Sequence, residues 1–250
     1  MTKALLNRTL FFVSVFGLSS CGVYRQNVVN APLMQEKGQT QISGSVGFTG
    51  FDGQLAYAAT KKIALMANYS DLGTKRDNFS SFNFSVDKHN FYELGAGYFK
   101  KNKSRLISEY FLIAGKGMTS HFVQSLDKAN NLKTTLKKVS YNRFCFQADF
   151  GKINKKLEYA ITPRIMVINY YNIIDNSSAP YKQGAKKYLY TDIAATLRYN
   201  FLKYFKISGQ FSNTIPVTGL NSKYYDFSPF NCSIGLIINL NFYKPTQSDK

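Results

Sequence analysis

The 250-residue chain has no tryptophan, three cysteines, two histidines and six prolines, and only 18% of its residues are charged. Three cysteines cannot make a disulfide scaffold, and two histidines leave little for a zinc centre. No run of about 18 or more consecutive apolar residues occurs, so no hydrophobic helix crosses a membrane. Acids are scarce: 14 Asp and Glu face 32 Lys and Arg, a formal charge of +18. Such an excess suits a nucleic-acid binder, yet no recognition motif accompanies it, and nucleic acid is not an expected partner. Phe and Tyr are plentiful, at 16% of the chain. That content argues against disorder.

The first twenty residues read as an address. Met1–Arg8 is basic, and Leu10–Leu18 is an apolar stretch too short to span a bilayer. Leu18-Ser19-Ser20-Cys21-Gly22 follows. This resembles the lipobox of bacterial lipoproteins, in which a branched apolar residue and two small residues precede the cysteine that receives the lipid. The resemblance implies removal of residues 1–20, a lipidated Cys21 carrying palmitate-type acyl chains, and handling by the lipoprotein-sorting machinery. Residues 21–38 lack a sustained period and contain Pro32 and Gly38, so they read as a lipidated tether. With Gly22 after the cysteine and no acid before Glu36, the sorting pattern implies the periplasmic leaflet of the outer membrane.

From residue 39 the apolar period is two, which means strand rather than helix. Phe230, Cys232, Ile234, Leu236, Ile238, Leu240 and Phe242 alternate with Asn231, Ser233, Gly235, Ile237, Asn239 and Asn241. The same alternation runs through 189–201 and through 157–167, where Pro163 marks an expected bulge. Weaker cases at 39–48, 51–60, 62–70, 89–99, 105–117, 139–151 and 203–213 bring the count to about ten strands. Most have ten residues or so, the length of a membrane-crossing strand rather than of a soluble sandwich strand. Connections alternate between long (71–88, 118–138, 173–186, 214–228) and short (100–104, 152–156, 201–203), as in outer-membrane barrels. The fold expected is all-β: a closed up-and-down antiparallel transmembrane β-barrel over residues 39–243, with a tail at 244–250. Ser233–Phe242 resembles the C-terminal insertion signal of outer-membrane barrels, which implies the barrel-assembly machinery as a partner.

If the apolar face meets lipid, the other face fills the lumen. It carries Glu93, Glu109, Arg143, Asp149, Glu158, Arg164, Asp192, Arg198 and Lys206, five acids and four bases. Charges in an enclosed space require partners, so a structural network is expected there. On the fifth strand Ile107, Phe111 and Ile113 share the face of Glu109, which leaves that strand's orientation open. The surplus lysines fall mostly in turns and loops, where they suit anionic lipid headgroups and lipopolysaccharide.

Chemistry offers one candidate. Asp87-x-His89 resembles the rim His–Asp couple of the omptin family of outer-membrane proteases, and His121 is expected on the same rim. The opposed carboxylate pair of that family has no D-x-D or D-D counterpart here. Ser120 and His121 are adjacent and point to opposite faces of a strand. Cys145 faces inward and Cys232 outward, so they do not pair. The function expected is a monomeric, lipid-anchored outer-membrane barrel without cofactor or metal, non-enzymatic, acting structurally, adhesively or in ligand binding through its outer loops. The alternatives are a rim-active barrel hydrolase and a lipidated soluble periplasmic barrel.

Overall fold

The computed structural model describes residues 24–78, 83–102, 105–126, 132–176, 186–217 and 229–241. The lipobox, Cys21 and the C-terminal tail lie outside them. Ten strands run in chain order: β1 (Gln39–Gly47), β2 (Gly50–Ala58), β3 (Ile63–Asn78), β4 (Asn83–Lys101), β5 (Leu106–Leu126), β6 (Leu132–Ile153), β7 (Leu157–Asp175), β8 (Lys186–Asn200), β9 (Phe205–Pro216) and β10 (Phe230–Asn241). Each pairs antiparallel with its sequence neighbour, and β1 pairs with β10 from Gln39–Asn241 to Gly47–Ser233. Closure leaves no unpaired sheet edge around the barrel itself. Among the described residues, edges are open where β3 runs past its last pairing with β2, at Asp71, and where β6 runs past its last with β7, at Lys137.

The outward faces are apolar because alternate residues of each strand point away from the lumen. Leu94, Leu112, Phe144, Ile165, Ile193, Leu197 and Ile234 are all exposed. Exposed aromatics bracket this belt. Tyr57, Tyr98, Tyr110, Phe150, Tyr159 and Tyr199 lie toward the short-turn end, and Phe48, Phe51, Tyr69 and Tyr92 toward the long-hairpin end. Two aromatic girdles around an apolar band are the pattern of a barrel that sits in a bilayer. The β5 ambiguity resolves at the same time. Ile107, Glu109, Phe111 and Ile113 face inward and are buried, while Leu106, Tyr110 and Leu112 face out.

The long connections expected at 71–88 and 118–138 are mostly strand, while most of 173–186 lies outside the described residues. β5 and β6 have 21 and 22 residues, about twice what a membrane crossing takes. Above the belt the outward positions become mixed, with Lys88, Ser120 and Gln124 interleaved with Val86 and Phe122, so the strict apolar alternation stops although the ladder continues. Lys75, Arg76, Lys133, Lys137, Lys138, Lys186 and Lys187 therefore sit on strands, not in loops. The irregularity expected at Pro163 falls instead between Lys138 and Ser140. Pro163 keeps its place opposite Ile193. The β6–β7 ladder is still weakened there: it passes from Gln147–Arg164 to Phe150–Ile161 with its register unchanged, leaving out the Ala148–Pro163 and Asp149–Thr162 positions, and Pro163 has no N–H to donate.

The belt makes a first prediction. Ile193→Arg or Leu236→Arg places a charge in the band and should lower barrel stability by roughly 2–4 kcal/mol near the midplane. Gln124→Arg, outward on β5 but above the belt, should be tolerated. Unfolding followed by heat-modifiable gel migration reads both, and equal tolerance would mean the band does not meet lipid.

Candidate functional site

The lumen is occupied by the chain's own residues 24–38. The segment read as a tether is not free of the barrel. Tyr24, Gln26–Met34 and Gly38 are buried, with the run from Gln26 to Met34 touching wall on every side. A strand with one wet face shows a period; a peptide enclosed all round shows none, which is why its pattern looked irregular.

Apart from an isolated bridge at Tyr24 this peptide joins no sheet ladder, so its backbone groups need side-chain partners. The strands supply them. Gln210 accepts from the Val29 N–H at 2.7 Å and donates to the Val29 carbonyl at 2.9 Å, standing in for a neighbouring strand. Asp52 accepts from Val28 N–H at 3.2 Å, and Gln54 donates to the Val28 carbonyl at 2.7 Å. Gln147 donates to the Asn30 carbonyl at 2.7 Å. Arg198 donates to the carbonyls of Ala31 and Pro32. Glu109 accepts from the N–H groups of Leu33 and Met34 at 2.9 and 2.6 Å. Leu33 holds a φ of 54°, a left-handed conformation that ordinarily costs a non-glycine residue about 1–2 kcal/mol. The Glu109 carboxylate and tight packing fix it there. A Cβ on Gly151 would come within 2.5 Å of Leu33 Cδ2, so the wall has been pared to glycine at that level.

The plug also accounts for the apolar lumen residues. Ala31 and Leu33 pack with Ile107 and Ala160. Tyr24 stacks on Tyr190 at 5.4 Å and meets Tyr141 edge-on at 6.0 Å.

All nine charged residues assigned to the lumen are buried there. Arg143 and Arg164 contact Glu93 and Asp192 respectively. Glu158 serves two cations, Lys206 at 2.5 Å and Arg198 at 3.9 Å. Glu109 is spent on the plug backbone. Asp149 accepts from Thr162 at 2.7 Å and from Gln147 at about 3 Å. The network is thus as much a peptide clamp as a wall-to-wall brace.

At the long-hairpin end lies a smaller cluster. Asp87 and His121 are opposite one another in the β4–β5 register, with the carboxylate 2.5 Å from Nδ1. Arg25 of the plug approaches the same carboxylate at 3.4 Å. His89 is not Asp87's partner. It points deeper into the lumen, bonded to Thr119 at 3.0 Å and lying parallel to Phe91 and Tyr141. The i, i+2 spacing had put the two on one face, but the cross-strand neighbour is nearer than the same-strand one. Nothing in the sequence marks Arg25 for this contact, because a segment enclosed on all sides carries no period to place it inside the barrel. Among the described residues no group of three or more His, Cys, Asp or Glu is placed to hold a metal ion. Cys145 is buried and Cys232 exposed, and both are free thiols.

No protein-family model matches the chain, and no curated protein sequence matches it. Solved structures do. The translocator domain of the autotransporter NalP from Neisseria meningitidis aligns over 96% of this chain and 95% of its own, with a TM-score of 0.50 and 13% identity. The outer membrane protease OmpT from Escherichia coli aligns over 82% and 94%, at 0.47 and 10%. Ail, the attachment invasion locus protein of Yersinia pestis, aligns over 82% and 99%, at 0.34 and 10%. At such identities the likeness is one of fold: a closed antiparallel barrel of the outer-membrane kind.

Proposed function

We propose that this protein is an outer-membrane barrel closed by its own N-terminal segment, acting at the cell surface as a non-catalytic binding or adhesive platform. The observation that carries this reading is the filled lumen. A barrel whose interior is bonded to residues 24–38 offers no free path for solutes, which leaves its surfaces to do the work. The strands of β3–β8 that continue beyond the apolar belt give it a raised polar rim, rich in lysine, suited to anionic headgroups of lipopolysaccharide. The lipobox supports a second attachment through acylated Cys21. A hydrophobic barrel and a lipid together make a durable anchor.

Retention in the membrane pellet after carbonate extraction, together with heat-modifiable migration, tests the location. Recovery in the soluble fraction would return the reading to a periplasmic barrel. The Asp87–His121 couple tests the non-catalytic part. Purified protein should turn over neither peptide nor ester substrates, and Asp87→Asn and His121→Ala should bind cells or lipopolysaccharide as the parent does. Cleavage that disappears in His121→Ala would make the rim an active site.

A further inference from the structure

The direction in which the plug is threaded decides where the N-terminal end emerges. At Glu36–Gly38 the chain reverses. Gly38 has a φ of 80°, a conformation that favours glycine, and its N–H donates to the Ala58 carbonyl at the short-turn end. Followed backward, the segment reaches Glu109 at Met34 and Leu33, then Gln147 at Asn30, then Gln54 and Asp52 at Val28. The Gln26 carbonyl accepts from Asn231, near the start of β10. That asparagine stands beside Gly47, at the tip of the β1–β2 hairpin. Arg25 then pairs with Asp87, on the part of β4 beyond the Tyr92 girdle. The described chain therefore enters β1 at one end of the barrel and begins near the other.

Cys21 precedes Tyr24 by three residues, about 10 Å of extended chain at most. The route back to the short-turn end is blocked by the plug itself. The rim is also uneven. β5 and β6 rise far above the belt, whereas β1 and β2 turn at 48–49 beside exposed Val46, Phe48 and Phe51.

We propose that the N-terminal end leaves through the long-hairpin mouth and that the acyl chains on Cys21 enter the outer leaflet over the low, apolar β1–β2 lip. The lipid then anchors the protein from outside, not from the periplasmic leaflet that the sorting pattern implied. This rests on the outer-membrane barrel reading and adds to it a topology. It also makes assembly ordered: the lipidated end must lie across the lumen before β1 and β10 zip together.

Site-specific labelling in cells expressing the full chain tests it. One variant carries a short epitope between Gly22 and Val23, another an epitope after Lys250. Val23→Cys in a Cys232→Ser background, probed with a membrane-impermeant maleimide, covers the case in which the insertion blocks assembly, Cys232 being itself an exposed thiol near the outer end of β10. The N-terminal site should label fully on intact cells, with no rise on permeabilisation. The C-terminal epitope should rise several-fold when cells are permeabilised. Mass spectrometry of the peptide starting at Cys21 should show acyl mass. An N-terminal site that labels only after permeabilisation, on protein that migrates as a folded barrel, would overturn the proposal while leaving the barrel reading intact. Loss of the folded band in the unmodified protein would overturn the barrel reading and this topology with it. A surface-labelled N-terminus without acyl mass would refute the lipid anchor.

Discussion

Planar bilayers containing the intact protein should stay electrically silent, and deletion of residues 24–35 should produce stable, reproducible ionic steps. Barrels of about eight strands leave room only for side chains, and open channels belong to those of sixteen or more. Ten strands stand close to the closed limit, but here the interior has been widened locally by Gly151 and holds an additional extended chain. Removing that chain leaves a bore about one polypeptide wide, lined by Gln54, Gln147, Gln210, Arg198 and Glu109 with their plug partners gone.

The deletion should destabilise the barrel without abolishing it. Water entering the bore takes over the hydrogen bonds that the plug backbone made, so the polar penalty is smaller than for a dry site. Ile107 and Phe111 have no such replacement and become wetted, at about 25 cal/mol per Å² of apolar surface. The melting transition on gels should therefore move down while conductance rises from nothing. A deletion variant that migrates as a folded barrel and stays silent would show that the walls close without the plug. Large steps from the intact protein would show that the plug does not seal.

The wall was legible in the sequence and the plug was not. Alternation at Leu157–Val167 or Phe230–Phe242 follows directly from one face meeting an apolar phase, and the lumen charges follow from the opposite parity of the same strands. Such inference works while the two environments differ. It weakens in the outer parts of β3–β6, where both faces mix polar and apolar residues and the strand signal fades. It fails for residues 24–38, where no face differs from any other. A sign was nonetheless present. Phe91, Ile107, Phe111 and Tyr141 fall on the lumen parity of their strands, and an empty wet bore would not keep so many apolar groups. Likewise Gln26, Asn27, Asn30, Gln54, Gln147 and Gln210 are residues able to substitute for a missing ladder, half on the plug and half on the wall. Asp87 with His121 needed the cross-strand register, which neither residue's sequence neighbours encode.

Arg143→Ala should be the most damaging single substitution in the lumen. This guanidinium is 1% exposed and joins three elements. It donates to the Tyr24 hydroxyl at 2.8 Å and to Asn27 Oδ1 at 2.9 Å, both on the plug, and contacts Glu93 on β4. It also lies 4.1 Å from the centroid of the Phe91 ring. Taking it away leaves Glu93 buried with only the amides of Asn68 and Asn27 against its carboxylate. Breaking a buried pair from one side in this way costs about 3–5 kcal/mol. Arg143→Lys should recover little, since a point charge cannot reach plug and wall together as the planar fork does. Adding Glu93→Gln to Arg143→Ala should restore a good part of the loss, because the stranded charge is then removed, and the double-mutant cycle measures that coupling. Arg164→Ala provides the contrast. Its partner Asp192 keeps the Thr214 hydroxyl at 2.5 Å, and both groups belong to the wall. It should lower the melting transition without opening conductance, whereas Arg143→Ala should do both by loosening the plug at Tyr24 and Asn27. Equal transitions for Arg143→Ala and for an exposed-turn substitution such as Lys155→Ala would refute the clamp.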